Sequence, residues 1–335
     1  MFEGFANVWT PVVTTKELGN KPLGTKLAGE PIVLFRDRKG GVGALLDRCP
    51  HRGVALSLGE VNEDGCLECP FHGWAFRTDG ACAHIPLNPI AEDKRGRYAA
   101  TGLPVREVGG LVWVFTGQDA AGTEPQPAPA LVEPGWHVSF TAETWSAHWT
   151  RAMENMLDMP HLPFVHKRTI GRDLRAKLRP DSVLKCDVAP TEYGMEIISS
   201  FDGENTAGVA WRRPNGMELR IMKDKWHGQV FCVPIDADHT RMLFGFARKF
   251  LGNRLVSWIS NRFNQRIGNE DKPVVESSFP REVPPPAEEL SVETDGPTLY
   301  FRRYYYRELR GTSTTLVPLS RLAARRSPPQ AMAAE

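Results

Sequence analysis

Cysteine is scarce in this chain, with six in 335 residues. Cysteines so thinly spread do not build a disulfide scaffold and suit a reducing compartment. Long apolar runs are missing too: nothing approaches the roughly 18 uninterrupted apolar residues of a membrane-crossing helix. No sign of charge dominates, because 41 basic residues face 40 acidic ones for a net +1. That balance leaves no footprint for nucleic acid or an anionic membrane. The opening Met1-Phe2-Glu3-Gly4-Phe5 has no basic segment leading into an apolar run. No secretory leader is therefore expected, and the expected location is the bacterial cytoplasm. No Gly-x-Gly-x-x-Gly follows a candidate strand, so no dinucleotide-binding unit is legible. The chain is nevertheless long enough for two domains with cores of their own.

What is present is a pair of short loops. Cys49-Pro50-His51-Arg52-Gly53 is followed, with 17 residues between His51 and Cys69, by Cys69-Pro70-Phe71-His72-Gly73-Trp74. Two cysteines and two histidines can hold zinc. Zinc fingers, however, usually pair Cys with Cys and His with His, whereas each loop here supplies one of each. That division fits a Rieske-type [2Fe–2S] cluster with Cys49, His51, Cys69 and His72 as ligands. Histidines on one iron raise its reduction potential above that of an all-thiolate cluster. Pro50 and Pro70 stiffen the loops, and Gly53 and Gly73 let the backbone close up. Trp74 is placed to cover one side. Cys66 and Cys82 read as packing residues.

A second motif runs Glu154-Asn155-Met156-Leu157-Asp158-Met159-Pro160-His161-Leu162-Pro163-Phe164-Val165-His166. Trp149, Met153 and Leu157 form a helical apolar stripe that puts Asp158 and His161 on neighbouring faces. Pro160 and Pro163 should then bend the chain so that His166 returns to the same point. Buried core histidines would give the same pattern. Two histidines and one carboxylate make a non-haem Fe(II) site with open positions. The carboxylate is sought in Asn269-Glu270-Asp271-Lys272-Pro273-Val274-Val275-Glu276, at the end of a helical segment. Leu251, Leu255, Trp258, Ile259, Phe263 and Ile267 are its expected buried stripe. Position alone leaves Glu270, Asp271 and Glu276 tied.

Over about residues 5 to 310, these motifs and their order resemble the catalytic component of a Rieske non-haem iron oxygenase. The likeness is strongest to the short branch with vanillate and caffeine demethylases, dicamba monooxygenase and saxitoxin-pathway hydroxylases. The resemblance selects Asp271 as the third ligand beside His161 and His166. It also makes Asp158 the bridge that carries electrons from a cluster histidine, with Asn155 beside it in the catalytic set. It implies a head-to-tail homotrimer in which one chain's cluster serves the next chain's iron. It further implies electrons from NAD(P)H through a separate reductase or ferredoxin. Arg52 and Arg77 are candidate docking charges for that donor, or ordinary solvated ones. Expected chemistry is monooxygenation, as hydroxylation or O/N-demethylation, of a small aromatic or alicyclic compound. Arene cis-dihydroxylation is the runner-up, and a non-catalytic Rieske electron carrier the alternative of another class. Pocket candidates are Asn155, Phe164, Ile170, Trp211, Trp226 and His227.

The implied fold class is α+β: a small antiparallel β Rieske domain, then an antiparallel sheet wrapped by helices. Residues 1–121 form the first domain, a Pro-rich linker spans 122–134, and 135–311 form the catalytic domain. Short strands are expected at 31–36, 43–46, 110–115, 196–201 and 241–246, and a final helix at 298–310. Residues 312–335, polar and Arg-rich, read as a flexible tail.

Overall fold

The structure is a computed structural model describing residues 1–206, 208–222 and 224–316, with the side chain of 254 left aside. Its N-terminal third is three small antiparallel sheets. Trp9–Thr14 pairs with Leu111–Phe115, which pairs with Val105–Val108. Leu23–Leu27, Glu30–Arg36 and Val42–Leu46 make the second. Glu60–Val61, Leu67–Glu68, Ala75–Phe76 and Cys82–His84 make the third. The run Ile32-Val33-Leu34-Phe35 has no polar alternation because both of its faces are covered. Ile32 and Leu34 enter one core, Val33 and Phe35 another that also takes in Cys49 and Cys69. A strand's period of two splits neighbouring residues in this way.

The rest is one large antiparallel sheet with helices against it. Its strands run in the order His137–Trp145, Thr240–Arg248, Trp226–Pro234, Gly216–Met222, Gly208–Arg212, Gly194–Phe201, Leu184–Thr191. The short Glu204–Asn205 strand pairs with Gly194–Phe201. Alternation again sorts the side chains. Trp226, Gly228 and Val230 line an internal cavity, while Phe231 and Val233 join the core shared with the N-terminal sheets. Trp113 meets Phe231 edge-on with ring centroids 5.5 Å apart, locking the two parts together.

Three expectations need correction. The helix that leads into the two-histidine motif spans Trp149–Leu157, with Trp149, Met153 and Leu157 buried, and stops before Asp158 rather than at Pro160. The long helix Arg254–Glu276 starts after Leu251, and most of the expected apolar stripe is exposed, although Phe263 and Ile267 also line the cavity. Leu255, Trp258, Ile259 and Phe263 are 65, 57, 53 and 43% exposed, whereas Asn264, Gly268, Asp271 and Val275 face inward. Along the cavity that helix places Asn264, Gly268 and Asp271 beside Phe263 and Ile267. Finally, residues 312–316 are tied down: Gly4 N donates to Thr312 O, Thr314 N to Met1 O, and Leu316 packs into the shared core. The remainder of the expected tail, 317–335, lies outside the described residues.

The other strands fall where expected, within a few residues of their ends. Gly296–Tyr304 is helical and runs on as a π-turn through Tyr305–Leu309. Inside 122–134, Pro129–Val132 forms one helical turn that buries Ala130 and Leu131.

Candidate metal centres and substrate cavity

The two Cys–His loops repeat one backbone pattern. In the first, Cys49 N donates to Val54 O (2.8 Å) and Gly53 N to Cys49 O (2.9 Å). In the second, Cys69 N donates to Trp74 O (2.8 Å) and Gly73 N to Cys69 O (3.0 Å). Both turns close on a glycine in the left-handed region, φ +74° at Gly53 and +69° at Gly73, where a side chain would be strained. A Cβ on Gly73 would also meet Pro86 Cγ at 2.9 Å. Cys49 and Cys69 are each 2% exposed, and the His51 and His72 rings sit 4.6 Å apart. Trp74 stacks on His51, 4.5 Å between centroids and 3° from parallel.

Burial pushes the Cys49 thiol up to about 11, so a cation must displace its proton to bind there. Burial, with His72 and Arg52 adding to it, lowers the His51 pKa and favours a neutral, ligating ring. His51 Nδ1 is buried without a hydrogen-bond partner. Two desolvated thiols and an orphaned imidazole nitrogen fit a thiolate–imidazole cluster. Cys66 and Cys82 sit apart as buried free thiols, and Arg52 and Arg77 are exposed.

The second centre is assembled from three elements. Asp158 caps the end of the Trp149–Leu157 helix in extended backbone, which turns the chain. His161 and His166 then flank the single turn Leu162–Val165, and Asp271 comes from the long helix. One ligand atom from each of His161, His166 and Asp271 lies within 4.8 Å of the others. Asp271 Oδ1 stands 3.1 Å from His166 Nε2 and 3.7 Å from His161 Nε2, yet makes no hydrogen bond. His161 Nδ1 is likewise buried and unpartnered. His161 Nδ1 faces Asp158; it is the unpaired Asp271 oxygen, set against Nε2 of both histidines in a buried site, that fits a shared cation.

The structure separates the three carboxylates that position alone left tied. Asp271 is 4% exposed and joins the histidines. Glu276 instead accepts from Ser146 N at 2.7 Å. Glu270 sits behind the site: its Oε2 faces His166 Nδ1 at 2.9 Å and accepts from Thr169 Oγ1 at 2.5 Å. Burial alone would lower the His166 pKa, but Asp271 and Glu270 outweigh it and raise it. Sequence reasoning missed this supporting role. Adjacent helix residues point about 100° apart, so Glu270 could not share the ligand position of Asp271, and that was the available signal. Nothing in the sequence marked Thr169.

Asp158 Oδ2 lies 3.7 Å from His161 Nδ1, and its side chain is 35% exposed. Glu154 is taken up by Arg302 and Arg151, leaving Asn155 to face the cavity.

That cavity holds about 640 Å³ and opens directly onto Asp158, His161, His166 and Asp271. Its walls are mainly apolar, among them Phe201, Met217, Leu219, Phe244 and Phe246. Of the pocket candidates, Asn155, Ile170 and Trp226 line it. Trp211 is a fully buried core residue against Phe301 and Tyr304. Phe164 is exposed beneath Arg175, and His227 packs beside Trp136 on the sheet's other face.

Residues 8–93 match the family described as Rieske [2Fe-2S] domain, and 203–309 the vanillate O-demethylase oxygenase C-terminal domain. Among curated relatives, Chlamydomonas reinhardtii chlorophyllide a oxygenase is 32% identical over 74% of this chain and 39% of its own length. The oxygenase subunit of a Sphingobium 5,5'-dehydrodivanillate O-demethylase is 31% identical over 84% of this chain and 63% of its own. The chain thus spans less than two thirds of these relatives. The solved structure of Pseudomonas putida NdmA superposes with a TM-score of 0.74 at 27% identity, covering 90% of this chain and 89% of that one. Cys–His loops of one geometry, a buried two-histidine, one-carboxylate cluster, and both family matches in this order lead to one conclusion. The chain belongs to the Rieske non-haem iron oxygenases, which carry a [2Fe–2S] cluster and a mononuclear iron.

Proposed function

We propose that this chain is the terminal oxygenase of a system with a separate electron donor, inserting one oxygen atom into a small, ring-containing substrate. The observation that carries this reading is the convergence of His161, His166 and Asp271 on the wall of a large apolar cavity. In outline, a C–H bond, O2, two electrons and two protons give C–OH and water. Where the oxidised carbon is an O- or N-methyl group, the product collapses to formaldehyde and the demethylated compound; two relatives are named as demethylases.

Cys49, His51, Cys69 and His72 are assigned to the cluster, and His161, His166 and Asp271 to the lone iron. Once bound, the cluster supplies electrons singly and the ferrous ion provides the place where O2 is reduced. The chain's residues do the rest. Glu270 fixes the ring orientation of His166. Asp158 orients His161 and keeps an exposed carboxylate for a cluster histidine of a neighbouring subunit. Apolar walls exclude water from the reacting carbon.

Residues 1–121 would hold the cluster, 122–134 join, and 135–311 hold the iron. We assign a homotrimer, electrons from an NAD(P)H-dependent reductase or ferredoxin, and a cytoplasmic location in keeping with six unpaired cysteines. Iron and acid-labile sulfide counted on the purified protein test the reading. Three irons per two sulfides are expected; two per two would reduce the chain to an electron carrier, and zinc alone would end the assignment.

A further inference from the structure

We infer that the substrate is an uncharged, largely apolar compound of at least two rings, held at its far end by the amide of Asn264. This deepens the oxygenase reading and rests on it. The first observation is size. A cavity of about 640 Å³ lies in the upper half of the roughly 300–1,000 Å³ range of small-molecule pockets, and a single substituted ring would leave much of it unfilled.

Charge is the second. Among the described residues lining the cavity, the buried acids and histidines belong to the iron site. The one lysine, Lys177, is exposed and pairs with Glu204 at 3.1 Å. No buried cation there would compensate a substrate carboxylate, and burying an unpaired carboxylate is costly.

Third, the wall holds a polar group with nothing to bind. Asn264 is 3% exposed, lines the cavity, and its Nδ2 is buried without a hydrogen-bond partner. Such a donor costs free energy unless a ligand acceptor completes it. Asn264 sits on the same inward helix face as Gly268 and Asp271. Seven residues separate it from Asp271, which at 1.5 Å per residue is about 10 Å along the axis. A ligand touching Asn264 with one end and the iron side with the other must span more than a single ring. Asn155, whose Nδ2 is also unpartnered, lies at the near end.

The test uses the iron-loaded protein and calorimetric titration with three probes. One is an acetylnaphthalene carrying a methoxy group at the opposite end of the ring pair. Another is its ethyl counterpart, which lacks the carbonyl oxygen. The third is para-methoxybenzoate. The acetyl probe should bind at least tenfold more tightly than methoxybenzoate. Asn264→Leu should weaken the acetyl probe about tenfold while leaving the ethyl probe within twofold. Asn264→Asp removes the same donor and serves if the leucine variant does not fold. Methoxybenzoate binding as tightly as the acetyl probe would overturn the substrate class. Equal losses for the acetyl and ethyl probes, or no loss for either, would remove Asn264 as the anchor. Iron and sulfide contents, measured on the same samples, report separately on the oxygenase reading.

Discussion

Glu270 receives two donors on one oxygen, from the His166 ring at 2.9 Å and Thr169 Oγ1 at 2.5 Å. A carboxylate on Nδ1 leaves Nε2 as the free lone pair, and Nε2 is the atom that faces Asp271. The residue that looked like a rival ligand thus sets the tautomer of a true candidate. Glu270→Gln keeps the shape and removes the charge. It should weaken iron binding by about 10- to 100-fold, read by competition with a chelator, while the cluster's visible spectrum stays unchanged. Iron affinity equal to the parent's would show that Glu270 does no positioning.

Among the elements, the Trp149–Leu157 helix is capped by an unusual residue. His148 Nδ1 accepts from Thr150 N (3.4 Å) and lies 2.7 Å from Thr150 Oγ1. Only a neutral ring can accept at that atom. Burial lowers the His148 pKa to about 4 from 6.5, with Arg151 adding and Glu282 and Asp238 opposing. The unfolded chain therefore takes up this proton first as pH falls. The resulting stability is intact above pH 6.5 and drains away between there and pH 4. Urea unfolding at pH 7.5 and pH 5 should differ by about 2 kcal/mol from this group. His148→Asn, a cap that does not titrate in this range, should shrink that difference; an unchanged pH slope would acquit the histidine. The long helix makes a related point. Its inner face, Asn264, Gly268, Asp271 and Val275, lines the cavity or packs beside it. A Cβ at Gly268 would crowd Phe244 Cζ at 3.1 Å.

At the scale of the whole molecule, the proposed electron route crosses between subunits through Asp158. Two inactive variants should then rescue each other. Cys69→Ser lacks the cluster and His161→Ala lacks the iron site, yet co-expressed chains would place an intact cluster beside an intact iron. Random assembly in a closed ring should restore about a quarter of the parental rate, since both variants must neighbour in the right order. Turnover no greater than either variant alone would confine electron transfer to a single chain.

The sequence determined the two metal motifs, because ligand type and loop spacing are local properties that survive without a fold. It also determined the strands, whose apolar runs are long enough to show their period. For the third iron ligand, residues alone left Glu270, Asp271 and Glu276 level, and only the family's pattern favoured Asp271. In the tertiary structure only Asp271 of the three stands against both histidines, since one helical step carries a side chain to a different neighbour. Tertiary structure also decided which side of the long helix is buried: Leu255, Trp258 and Ile259 stay exposed while Asn264, Gly268, Asp271 and Val275 turn inward, the side that meets the cavity and the histidines. Packing likewise took Trp211 into the core, left Phe164 exposed and set His227 beside Trp136. Hydrophobicity says that a side chain will be covered, and only the packed sheet says by what.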